Sequence, residues 1–128
     1  MKKLLLAFVI TLSGCALFPS PFDSQEHARI VTINVASRDS SVCVTPERAQ
    51  AVAETMYRDA EWAHSYGSTL SDNAPMAKME LELVNMTKEL RDRYTRPEPV
   101  SNFYCKSKFE NIHRATTTII GVSARRPR

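Results

Sequence analysis

Few residues in this chain have types and spacing that suggest chemistry. They are three cysteines, at 15, 43 and 105, and three histidines, at 27, 64 and 113. None of the histidines stands in an H-x-x-x-H or H-E-x-x-H spacing, so no helix face offers a pair of imidazoles to a metal. His64 follows Glu61 by three positions and Asp59 by five, and a base and an orienting acid five positions apart do not face each other on a helix. No serine sits in a G-x-S-x-G turn, and three glycines in the whole chain leave no loop to cradle a phosphate. The expectation is that the protein is not an enzyme, with no catalytic residue and no metal.

Cys15 is different because of what precedes it. Met1-Lys2-Lys3 is a positive start, Leu4 to Leu12 (LLLAFVITL) is an uncharged apolar run, and Ser13-Gly14 are small. That is the layout of a secretory signal, and nine apolar residues are far short of the roughly 20 that span a bilayer. The alternatives are an ordinary signal followed by a chance cysteine, or a cysteine that marks where the mature protein begins. Leu12-Ser13-Gly14-Cys15 resembles the lipobox of bacterial lipoproteins, L-[AS]-[GA]-C, at all four positions. The resemblance implies a diacylglyceryl group on the Cys15 thiol, cleavage after Gly14, and acylation of the new amine, with palmitate as a typical chain. Each buried methylene adds about 0.8 kcal/mol, so two or three chains anchor a protein that one would hold only weakly. The residue after the cysteine is Ala16 rather than Asp. In Gram-negative lipoproteins this implies the outer membrane, lipid-anchored on its periplasmic face.

Removal of residues 1–14 takes away two of 17 basic side chains, leaving 15 against 14 acidic ones. A net charge of +1 gives no reason to expect nucleic acid. With Cys15 lipidated, Cys43 and Cys105 remain as an even pair in an oxidising compartment. An intramolecular disulfide is expected, against free thiols or bridges to a partner. It would close a loop of about 60 residues, worth roughly 4 kcal/mol in the chain-entropy model.

These positions need a scaffold. Residues 15–28, with Pro19 and Pro21 and little periodicity, read as a lipidated tether, and 29–128 as one small domain. Arg29 to Ala36 (RIVTINVA) is β-branched and reads as a short strand or an extended arm, paired within the fold or with a partner. Thr45-Pro46-Glu47 is a helix start, and Gly67 supplies its end. Asn73 and Pro75 open a second helix that runs to about Tyr94. Its apolar seam is Met76, Met79, Leu83, Met86 and Leu90, with Glu80, Glu82 and Glu89 on a solvated face. Ser101 caps a third helix carrying Phe103, Cys105, Phe109 and Ile112, with the aromatic cluster Phe103, Tyr104 and Phe109 in the core. Thr116 to Ile120 (TTTII) is left open between helix and strand. The expected fold is mainly α: a small disulfide-closed bundle of about three helices.

Two surfaces are candidates for binding. The methionine stripe Met76, Met79, Leu83 and Met86 is either core or an adaptable groove for a partner. Arg125, Arg126 and Arg128 are either a solvated tail or a contact for anionic lipid, lipopolysaccharide phosphate or an acidic segment. The layout of lipobox, linker, small domain and disulfide also resembles that of pilotins, lipoproteins that carry a secretin segment to the outer membrane. It implies a non-enzymatic protein-binding adaptor with the membrane and one envelope protein as partners, no cofactor beyond the lipid, and no small-molecule substrate. Phage lipoproteins share the layout, as outer-membrane spanin subunits in lysis or in superinfection exclusion. A structural lipoprotein of the cell envelope is the remaining alternative.

Overall fold

The computed structural model describes residues 20–128. The expected signal peptide, the lipobox-like stretch with Cys15, and residues 16–19 of the expected tether lie outside the described residues. Four helices follow in order: α1 Ser24–Arg38, α2 Pro46–Gly67, α3 Ala74–Tyr94 and α4 Asn102–Ala124, with a short 3-10 turn at Ser40–Val44. No strand occurs among the described residues. The protein is a mainly α, disulfide-closed helical bundle, with one helix more than the sequence suggested.

The extra helix is α1, which replaces the expected strand or arm over 29–36 and takes up part of the expected tether. Asp23 caps it, accepting from the amides of Gln25 at 3.0 Å and Glu26 at 2.9 Å. Its buried residues are Glu26, Ile30, Ile33, Asn34 and Ser37, which share one helical face. Three of those five are polar, so the helical period is invisible to hydrophobicity and the β-branched run dominates the sequence pattern. Ser20, the first described residue, is already buried.

In α2 the buried positions are Ala49, Ala53, Met56, Ala60, Ala63 and Gly67, all but Met56 small residues that let α1 and α3 approach closely. In α3 they are Met76, Glu80, Leu83, Val84, Thr87 and Leu90. The seam thus steps through 76, 80, 83, 87 and 90, and the expected stripe is displaced by one residue at two places. Glu80 and Thr87 point inward, while Met79 and Met86 are only half-buried. Thr87 is satisfied by donating to the carbonyls of Leu83 and Val84, at 2.8 and 3.0 Å.

Ser101 caps α4, accepting from the Tyr104 amide at 3.1 Å. Thr116 to Ile120 is helical. Thr116, Thr117 and Thr118 each donate to a carbonyl one turn back, so these hydroxyls are satisfied inside the helix. Gly121 lies within α4 and does not end it. Phe109 is fully buried, but Phe103 is 84 % exposed, so the expected aromatic core cluster is corrected at that position.

Consecutive helices joined by short connections run antiparallel, and α1 closes the ring against α4. One end of the bundle holds the start of α1, the α2–α3 turn and the end of α4. The other holds the 3-10 turn and the α3–α4 connection. There Cys43 and Cys105 are disulfide-bonded across 62 positions, with Cα atoms 5.8 Å apart. No helix among the described residues is long and apolar enough to cross a membrane.

Candidate functional site

Displacement of the α3 seam leaves an open groove between α3 and α4. Met79, Leu83 and Met86 line it from one side, and Ala115, Thr118 and Ile119 from the other, around a volume of about 460 Å³. Lys78 and Glu82 contribute one charge of each sign. Three of the four residues marked for partner binding therefore meet in one place. Met76 does not line the groove; it and Leu83 are both core residues at 1 % exposure, and of the two only Leu83 lies under the groove floor.

The three arginines of the C-terminal stretch divide. Arg125 and Arg128 are exposed, and Arg128 lies over the Phe22 ring at 5.1 Å. Arg126 is 3 % exposed and is corrected from surface contact to structural ion pair. Its guanidinium donates to the Glu26 carboxylate and to the Ser20 hydroxyl, and also to Asn73 Oδ1 at 2.7 Å and the Ser20 carbonyl at 3.2 Å. A guanidinium has five donors in a rigid fork, and here they close the end of the bundle over three chain segments.

Asn73 completes the cluster. It sits at the N-cap of α3 without capping it, and its amide donates to Glu26 Oε1 at 2.6 Å and to the Gly67 carbonyl at 2.9 Å. Ser20 donates to Asn73 Oδ1 at 2.9 Å. Glu80 is the remaining member, fully buried and not on the expected solvated face. Neither of its oxygens accepts a hydrogen bond. Burial, then the neighbouring Glu26 carboxyl, push the Glu80 carboxyl up to about 9, against the opposing pull of Arg126. A carboxyl raised that far is neutral at pH 7, which lessens the cost of burying it without a hydrogen-bond partner. Arg126, Glu26 and Glu80 are all sealed from solvent.

The histidines serve the fold. His27 Nδ1 pairs with Ser123 Oγ at 3.0 Å, His64 Nδ1 with the Ala77 carbonyl at 2.9 Å, and His113 Nδ1 with Asn34 at 3.2 Å. His64 is not brought to Asp59 or Glu61 by any hydrogen bond; Asp59 instead pairs with Arg29 at 2.8 Å. Among the described residues no group of three or more His, Cys, Asp or Glu is placed to hold a metal ion. No protein-family model matches the chain, nor does any curated protein or solved structure.

Proposed function

We propose that the chain is a lipid-anchored lipoprotein of the cell envelope, acting as a non-enzymatic adaptor that holds a helical segment of one envelope protein in the α3–α4 groove. The anchor is Cys15, on the strength of the lipobox Leu12-Ser13-Gly14-Cys15, and Ala16 favours the outer membrane and its periplasmic face. The observation that carries the binding half is the groove itself. Two half-buried methionines face it from positions next to the helix seam, where well-packed cores usually place the same side chains inside.

From Met79 to Met86 is a rise of roughly 10 Å along α3, the length of two turns of a partner helix. An amphipathic helix with an apolar stripe flanked by both charge signs suits that floor and the Lys78–Glu82 pair. The layout is pilotin-like, and a secretin segment is the partner that resemblance favours.

The test is a photo-crosslinking side chain at position 86, compared with one at exposed Glu47 on α2. A single adduct from position 86, absent from position 47 and lost on Met79→Asp, is expected. Its identification separates the readings: a secretin supports the pilotin-like one, and an inner-membrane coiled-coil protein supports a phage spanin subunit. No adduct at position 86, or the same adducts from both positions, contradicts the groove.

A further inference from the structure

The chain leaves the fold at a fixed point. Ser20 is buried, its hydroxyl bonded to Asn73 and its carbonyl held by Arg126 Nε at 3.2 Å. Two residues on, the Phe22 amide donates to the Pro127 carbonyl at 2.8 Å. Slack in the expected tether is therefore confined to what lies between Cys15 and Ser20. Five residues reach at most about 18 Å. The 23 residues of α4 alone are roughly 34 Å long. A bundle held by so short a leash at one end cannot turn its other end to the bilayer.

The held end also carries the charge that suits a lipid surface. Arg125 and Arg128 are exposed beside the clamp, and Lys78 is exposed on the first turns of α3. The acids there are exposed Asp72 and Asp23, the latter occupied in capping α1 and accepting from the Tyr66 hydroxyl at 3.1 Å. Elsewhere the exposed charges are mixed: Glu61, Glu82 and Glu89 stand beside Arg58, Lys88 and Arg114 along the flanks, and Glu47 and Glu98 beside Arg48, Arg96 and Lys106 at the disulfide end.

We propose that the end formed by the start of α1, the α2–α3 turn and the end of α4 faces the membrane, with Arg125 and Arg128 on anionic headgroups and the Cys43–Cys105 end pointing away. This rests on lipidation at Cys15. The partner of the two arginines is the phosphate of the bilayer that holds the acyl chains, and each basic residue at such a surface strengthens contact about fivefold. In this orientation the α3–α4 groove stands roughly along the membrane normal, open to a partner from the side.

The experiment uses the lipidated protein in vesicles of phosphatidylethanolamine and phosphatidylglycerol containing a headgroup-nitroxide lipid. A fluorophore is attached at Ser71→Cys in the α2–α3 turn or at Glu98→Cys near the disulfide, with the native bridge intact. Strong quenching at 71 and little at 98 is expected, and the contrast should shrink in the Arg125→Glu/Arg128→Glu variant and in phosphatidylcholine vesicles. Equal quenching, or stronger quenching at 98, overturns the orientation. A contrast unaffected by the double variant overturns the part given to the arginines. Failure of the wild-type protein to float with the vesicles, when Cys15→Ser also fails, contradicts the lipid anchor instead.

Discussion

Arg126 and Glu26 form an ion pair across 100 positions of sequence, with neither side chain exposed to solvent. The pair joins the first helix to the residues just beyond the last, and Ser20 and Asn73 fill the remaining valences. A buried pair of this kind is a poor guide to net stability, because desolvation offsets most of the attraction. Breaking it is another matter, since one charge is then left alone in the interior.

Arg126→Ala is accordingly expected to destabilise the domain by about 3–5 kcal/mol in urea unfolding. Arg125→Ala and Arg128→Ala, two exposed neighbours of the same type, should each change stability by less than about 0.5 kcal/mol. Equal effects from all three would contradict the burial of Arg126.

Glu80 sets the pH dependence. Its carboxyl is raised from an ordinary value near 4.5 to about 9, so between those values the folded state holds a proton that the unfolded chain releases. Stability is therefore full below the unfolded value, falls as pH rises towards 9, and then levels off. Glu80→Gln removes that loss. The variant should be more stable than wild type by about 1–3 kcal/mol at pH 8, and should melt with a flatter profile between pH 5 and 9. A variant whose stability falls between pH 5 and 9 as steeply as that of the wild type would contradict the raised Glu80 carboxyl.

Gly67 ends α2 beneath the same two carboxyls. A β-carbon there would meet Glu80 Oε2 well inside contact distance and lie 2.8 Å from Glu26 Oε1. Gly→Ala in a helix usually stabilises, but Gly67→Ala should cost about 1–3 kcal/mol by forcing the acid pair apart. Thermal melting at pH 7 distinguishes the two signs.

The disulfide ties the 3-10 turn to the first turns of α4. Cys43→Ser should lower stability by roughly 4 kcal/mol, and reduction of the wild type should have the same effect. Coincident melting curves for oxidised and reduced protein would remove the bridge from any account of stability.

The helical class, the Cys43–Cys105 bond, the Pro46 and Ser101 helix starts and the end of α3 were legible because each rests on a local signal. A helix start is written in a few adjacent residues, and an even pair of cysteines is visible at any distance. What could not be read was the polar interior. Ile30-Val31-Thr32-Ile33 looks like a strand because Glu26, Asn34 and Ser37 look unfit for a core. They become fit only through Arg126, Asn73, Thr116 and each other, groups distant in sequence. Asn34 Nδ2, for example, reaches Thr116 Oγ1 at 2.9 Å across 82 positions. Glu80 was misplaced for the same reason, although the spacing of 76, 80, 83, 87 and 90 is regular in the sequence. The spacing 76, 79, 83, 86 and 90 is equally regular, so only hydrophobicity separates the two seams in the sequence, and it favours the methionines. The half-buried groove is the result of that mismatch, and so only part of the candidate site could be read from the sequence.

The central claim is that Cys15 is the lipidated first residue of the working protein. Intact-mass spectrometry of the protein extracted from membranes tests it most directly. The account predicts a chain beginning at Cys15 that carries diacylglyceryl and an amide-linked acyl chain, and Cys15→Ser should give an uncut, unacylated precursor. A wild-type chain cut elsewhere, or a Cys15 with a free thiol, would contradict it.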